Sequence, residues 1–188
     1  MNAMCLPVSP ALHFRTLMLS RSMIADLRSD HAGEVGAVMI YRGVLAVSKN
    51  EQVRHFAQRH LAGEQKHLRF FEDFLPVEHQ SKLLNVWRAA GWLTGALPAL
   101  AGPSAVYLTI DAVETFVGTH YTEQIERMAD DERLATLRAI LADFRADELL
   151  HRDDAAGHYA RHTGPMGRSW QALVGLGSAA GVALTRRI

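Results

Sequence analysis

Strict polar–apolar alternation is almost absent from the chain. Apolar positions instead recur at steps of three and four over long proline-poor segments, the period of a helix packed on one side. The first helix is expected from about Ser22 to Ser48, opening after the Ser20–Ser22 region and ending near Asn50. A second should run from about Glu51 to Leu75, stopped by Pro76, and a third from near Glu78 to breaks at Pro98 and at Gly102 with Pro103. The fourth starts at Pro103 or Ser104, since proline is tolerated in a first turn, and ends near Asp130. A fifth covers roughly Asp131 to His162, closed by Gly164 and Pro165, and a last one spans about Arg168 to Thr185. The fold class is all-α, with residues 1–21 a flexible N-terminus and 22–188 a single domain.

Four of these helices carry an anomaly. The second has the stripe Phe56, His60, Glu64, His67, Phe71, Phe74, and the fifth has Leu134, Leu137, Leu141, Phe144, Glu148, His151, Ala155. In the first, Glu34 stands at the centre of Leu27, His31, Val38, Tyr41 and Leu45; in the fourth, Glu114 follows Ile110 and precedes Val117, Tyr121, Ile125 and Met128. An ionised carboxylate on a core-facing stripe is costly unless a counter-charge meets it, and no Lys or Arg shares these stripes. Four glutamates and two histidines, Glu34, Glu64, His67, Glu114, Glu148 and His151, need about four positive charges, which two divalent cations supply.

The Glu-x-x-His pairs at 64–67 and 148–151 are weak signals alone, because ten Glu and ten His produce about half such a pair by chance. Their order is more telling. Glu34 precedes Glu64 by 30 residues and Glu114 precedes Glu148 by 34, and Tyr41 and Tyr121 each follow their glutamate by seven. The pattern reads as two antiparallel helix pairs related by a pseudo-two-fold axis. It resembles the ferritin-like carboxylate bundle, in which two helices give one Glu each and two give Glu-x-x-His. Oxygen-rich ligands with two imidazoles and no thiolate disfavour structural zinc and suit iron or manganese, and iron is the expected metal.

Composition narrows the rest. The 188 residues hold 20 Lys plus Arg against 20 Asp plus Glu, so the basic footprint of a nucleic-acid binder is missing. Cys5 stands alone and can form neither an intrachain disulfide nor a thiolate cluster. Residues 1–25 lack the long apolar run of a secretory signal. The 22 residues between Arg88 and Asp111 and the 17 between Arg168 and Arg186 carry no formal charge. Proline and glycine cut the first segment, so both are expected to be apolar membrane-contacting helices lying in a surface or shielding a pocket, with Lys82, Arg88, Arg168, Arg186 and Arg187 near anionic headgroups. Gly175-Leu-Gly177-Ser-Ala-Ala180 matches a dinucleotide fingerprint in letters only, as no strand precedes it.

At the same residues the sequence resembles a specific family. His31-Ala-Gly-Glu34-Val-Gly-Ala37 with Ile40-Tyr41, Ala112-Val-Glu114 with His120-Tyr121, and Phe144-Arg-Ala-Asp-Glu148-Leu-Leu-His151-Arg-Asp are similar to the demethoxyubiquinone hydroxylases of ubiquinone biosynthesis. The resemblance implies a di-iron monooxygenase at a membrane surface that hydroxylates the ring of a polyprenylated benzoquinone with O2 and two electrons. It further implies that Glu34, Glu64 and His67 hold one iron and Glu114, Glu148 and His151 the other, Glu64 and Glu148 bridging both.

Around this set, Tyr121 and His120 are expected to support the metals or the quinone, with Tyr41, His31 and His60 as further candidates; His13, His55, His79, His158 and His162 are expected at the surface. The electron donor is external, NADH or a reductase, and a pathway protein or a second copy of the chain is a candidate partner. The expected location is peripheral, on the cytoplasmic face of a bacterial inner membrane or the matrix side of the mitochondrial one. Two competing functions are an iron-storing oxidase and a non-catalytic quinone-handling adaptor.

Overall fold

A computed structural model describes residues 12–159 and 164–188. Six helices account for most of them: α1 (Arg21–Val47), α2 (Glu51–Phe74), α3 (Leu84–Ala101), α4 (Pro103–Arg127), α5 (Ala135–Ala156) and α6 (Pro165–Thr185). Local chemistry starts and stops them. Ser20 caps α1 by accepting from the Met23 amide at 3.2 Å, and Asn50 caps α2 by accepting from Val53 at 3.0 Å. Gly102, at φ 111°, turns the chain from α3 into α4, and Pro103 opens α4 where its missing N–H costs nothing.

Several expected boundaries move. Pro98 does not break α3; it stands in the last turn, where the helix runs on to Ala101 and the Gly102 amide closes onto the Pro98 carbonyl at 3.1 Å. The proline lacks the amide that would bond four residues back, yet the three residues after it stay helical. The segment from Glu78 to Leu83 is a short 3-10 turn, Val77–His79, followed by a loop in which Ser81 accepts from the Leu83 amide. Residues 132–134 form another 3-10 turn ahead of α5, and α6 begins at Pro165, ahead of the expected Arg168. Of the N-terminal lead-in, Leu12 and Leu17 are buried against the bundle and residues 1–11 lie outside the described residues.

Side-chain contacts fix the directions. Tyr121 of α4 meets Glu34 of α1 and Tyr41 of α1 meets Glu114 of α4, so these two helices run antiparallel. His67 meets Glu148 and His60 meets Asp154, so α2 and α5 do the same. These four helices enclose a centre capped by two apolar clusters. One holds Leu27, Phe70, Phe71, Phe74, Leu137 and Leu141, and the other Tyr41, Val53, Phe56, Tyr107, Ile110 and Ala155. Burial of such side chains contributes on the order of 1.5–3 kcal/mol each, which holds the carboxylates between them in place.

Helices α3 and α6 lie outside that ring. The first runs along α1 through a seam of glycines, where a Cβ on Gly95 would land on the Ile40 carbonyl and one on Gly91 on the Gly36 carbonyl. The second is pinned at both ends. Trp170 donates to Thr109 and Trp87 donates to Thr185, both at 2.8 Å, and Arg186 pairs with buried Asp26. Arg186 is therefore engaged inside the protein and is not the free headgroup contact expected of it. No helix among the described residues is long and apolar enough to cross a membrane.

Candidate metal centre

All six side chains singled out in the sequence converge at mid-bundle, none more than 7% exposed. Their ligand atoms form two overlapping groups, Glu34, Glu64, His67, Glu148 and Glu64, Glu114, Glu148, His151, with the atoms of each group within 4.8 Å of one another. Glu64 and Glu148 belong to both. His67 Nδ1 donates to Glu148 Oε1 at 3.1 Å and lies 3.8 Å from Glu34 Oε2. His151 Nδ1 lies 2.9 Å from Glu64 Oε1 and 3.3 Å from Glu148 Oε2, close enough for ion pairing but off the hydrogen-bond directions.

The electrostatics show what the cluster lacks. Burial, with the neighbouring Glu148 and Glu64, pushes Glu34 and Glu114 well above the usual carboxylate range, and burial beside Glu148 also raises Glu64. Burial pushes Glu148 the same way, but the imidazoles of His151 and His67 on either side outweigh it and hold it at about 2. Burial opposes a charged His151, yet Glu148 and Glu64 lift it to about 10; His67 rises well above its ordinary value through Asp147, Glu148 and Glu34. Glu34 Oε2, both oxygens of Glu64, Glu148 Oε2 and His151 Nδ1 are buried with no hydrogen-bond partner. Buried polar atoms are nearly always satisfied, so orphaned oxygens grouped at one point fit cations in their midst. Four carboxylates and two imidazoles suit iron or manganese.

The two tyrosines reach the centre as a crossed pair. Tyr121 donates to Glu34 Oε1 at 2.6 Å and Tyr41 donates to Glu114 Oε1 at 3.1 Å. His120, expected to support the metals or the quinone, lines the cavity over the centre and bonds Asp30 at 3.1 Å, an acid that also accepts from Gln124 at 2.8 Å. His60 packs edge-on against His151 with centroids 4.3 Å apart and pairs with Asp154 at 2.6 Å. His31 is buried with its Nδ1 unpartnered, and burial beside the Arg88 charge holds it at about 4. His13 and His55 are exposed as expected. His79 and His158 are half-buried against Phe14 and Tyr107, so their surface assignment is corrected, and His162 lies outside the described residues.

Sequence reasoning missed Asp147, which accepts from His67 Nε2 at 3.2 Å. Its one signal was its place beside Glu148 on the helix that faces His67.

A cavity of about 430 Å³ opens onto this centre. Glu34, Glu64, Glu114 and Glu148 form its floor, while Trp87 of α3 and Val174 of α6 stand among the small and apolar residues of its walls. Val86 of α3 and Leu173 and Leu184 of α6 line it and are also exposed, and the same two helices expose Leu93, Leu97, Leu100 and Leu176 elsewhere on their surfaces.

Known proteins share this chain's pattern. The family described as ubiquinone biosynthesis protein COQ7 matches residues 21–185. The 3-demethoxyubiquinol 3-hydroxylase of Rhodospirillum rubrum is 38% identical over 138 residues, 72% of this chain and 64% of that protein. The mitochondrial NADPH-dependent 3-demethoxyubiquinone 3-hydroxylase of Mus musculus is 33% identical over 138 residues, 71% of this chain and 64% of its own. Its counterpart in Dictyostelium discoideum is 31% identical over 176 residues, 90% of this chain and 80% of its own. The match thus spans less than two thirds of the first two relatives and more of the third. With the family pattern running through all four helices that carry the carboxylates, the chain belongs to the COQ7 family of ubiquinone biosynthesis proteins.

Proposed function

We propose that this protein is a di-iron monooxygenase that hydroxylates the ring of a demethoxylated, polyprenylated ubiquinone precursor at a membrane surface. The observation that carries the reading is a buried four-carboxylate, two-imidazole cluster forming the floor of an apolar cavity. Glu34, Glu64, His67 and Glu148 would hold one ion and Glu64, Glu114, Glu148 and His151 the other, Glu64 and Glu148 bridging both. A ferrous pair, when bound, supplies electrons to O2 at one site, and the anionic glutamates favour the ferric state that follows.

The chain's own residues do the remaining work. Tyr121 and Tyr41 each donate to one terminal glutamate and so fix which oxygen turns inward. The cavity walls exclude water and admit a flat apolar ring, with a prenyl tail leaving between α3 and α6 toward lipid. The exposed leucines of α3 and α6 support a peripheral seat on a bilayer, with Lys82, Arg88, Arg168 and Arg187 facing solvent nearby in sequence. An iron-storing shell would need a wet, polar entry, and the path to this centre is apolar.

The test loads purified protein with ferrous iron without air, adds a short-tailed demethoxyquinone in lipid vesicles with NADH or NADPH, and then admits O2. A product heavier by one oxygen, labelled from 18O2, is expected. Iron uptake with no oxygenated product would overturn the reading.

A further inference from the structure

The pseudo-two-fold axis that relates the halves of the centre fails at the back of the two histidines. His67 presents Nδ1 inward and donates from Nε2 to Asp147, the residue before Glu148. The residue before Glu64, which the same symmetry places behind His151, is Gly63. Glycine offers no carboxylate there, and a Cβ at Gly63 would already crowd the ring, 3.3 Å from both Cε1 and Nε2 of His151. Four residues before each bridging glutamate the halves differ again. Phe144 stacks on His67 with centroids 4.2 Å apart, whereas His60 meets His151 edge-on at 4.3 Å and spends its own hydrogen bond on Asp154. Behind the ring, His67 is held by a charged hydrogen bond and His151 by packing.

We infer that the two metal positions are inequivalent: the ion on Glu34 and His67 is bound more tightly than the ion on Glu114 and His151, and Asp147 is the positioning residue that sets the difference. This rests on the metal-centre reading above. A carboxylate behind a ligating histidine fixes its tautomer and ring plane and strengthens it as a donor, and losing such a partner typically costs 10- to 100-fold in metal affinity. Asp147 does not line the cavity, and its hydrogen bond to the centre is to His67. The consequence is a centre in which the ion nearer His151 exchanges first.

The experiment titrates the metal-free full chain with Co2+ under argon, following the visible ligand-field band and the heat, with helical content as a check on folding. The wild type is expected to bind two Co2+ in resolved steps. Asp147→Asn, which keeps the shape but removes the charge, should weaken the tighter step by about 10-fold or more, Asp147→Ala by up to about 100-fold, each narrowing the gap between steps. His151→Ala should abolish the weaker step and keep the tighter one. Two equal steps in the wild type, an unchanged titration in Asp147→Ala, or loss of the tighter step in His151→Ala would each overturn the inequivalence while leaving the centre standing. If the wild type retained no Co2+ at all, the metal-centre reading would fall with it.

Discussion

Tyr121 donates its hydroxyl to Glu34 Oε1 at 2.6 Å across the α1–α4 interface, and the same interface carries the reciprocal bond from Tyr41 to Glu114 at 3.1 Å. Each tyrosine thus restrains the glutamate of the opposite helix. Both hydroxyls are buried, and burial together with the adjacent carboxylates, Glu34 for Tyr121 and Glu114 for Tyr41, raises them well above the ordinary phenol range, so they remain donors throughout the accessible pH range.

Removing these donors leaves a buried oxygen unsatisfied while the ring still fills its space. Tyr121→Phe is expected to lower the stability of the metal-free protein by about 1.5–3 kcal/mol, and Tyr41→Phe by less, since its bond is longer. Urea unfolding midpoints measure this directly. A more stable Tyr121→Phe protein would show that the bond restrains nothing.

The pH dependence of stability follows from the shifted groups, and its sign differs between them. Glu34, Glu64 and Glu114 are raised above 4.5 on folding, so their ionisation opposes the folded state and stability falls as pH rises past that value. His151 is raised from 6.5 to about 10, so its contribution is complete below 6.5 and lost as pH rises toward 10. Glu148 works oppositely: held at about 2, it contributes above 4.5 and fails as pH falls from 4.5 to 2. Metal-free protein should therefore lose stability steadily from pH 6 to 9. Bound divalent metal should reverse that slope, because ligands must shed protons to bind it. Thermal melts across this range with chelator and with Co2+ check both limbs; parallel slopes would contradict the cluster's role.

The sequence exposed the centre more clearly than the fold around it, for a physical reason. Glu34, Glu64, Glu114 and Glu148 stood out because a carboxylate on an apolar stripe without a nearby cation is a rare conflict, and the structure gathers all four. Asp147 and Asp30 stayed hidden because each lies on a polar-looking edge of its helix and gains its role only from a partner some 80 to 90 residues distant, His67 and His120. His120 was expected near the centre, and it lines the same cavity as the glutamates while hydrogen-bonding the buried Asp30 rather than one of them. Pro98 looked like a break because propensity is blind to where in a helix a proline falls. Arg186 looked like a surface charge because Asp26, its partner 160 residues away, could not be paired with it from spacing.

The glycine seam between α1 and α3 should be intolerant of side chains. At Gly95 even a methyl group would collide with the Ile40 carbonyl, which is backbone and cannot swing away. Gly95→Ala is expected to destabilise by about 1–3 kcal/mol and Gly95→Leu to dislodge α3. Because α3 forms the cavity wall and supplies no carboxylate to the centre, Gly95→Leu should keep its metal stoichiometry yet lose quinone binding. Metal analysis beside quinone-quenched tryptophan fluorescence separates the two.

The exposed leucines of the two outer helices give the last prediction. Leu100 is 73% and Leu176 70% exposed, one on α3 and one on α6, at positions where a soluble surface gains nothing from a leucine. Full burial of such a side chain contributes roughly 1.5–3 kcal/mol, so partial insertion of both into lipid is worth at least about tenfold in partition. The double variant Leu100→Ser with Leu176→Ser should bind vesicles of mixed anionic and zwitterionic lipid at least about tenfold more weakly in flotation assays. Its metal content and its turnover of a short-tailed, water-soluble quinone should match the wild type, while turnover of a long-tailed quinone presented in vesicles should fall. Equal vesicle binding by variant and wild type would remove these two leucines from the membrane-docking account and leave them to a protein partner.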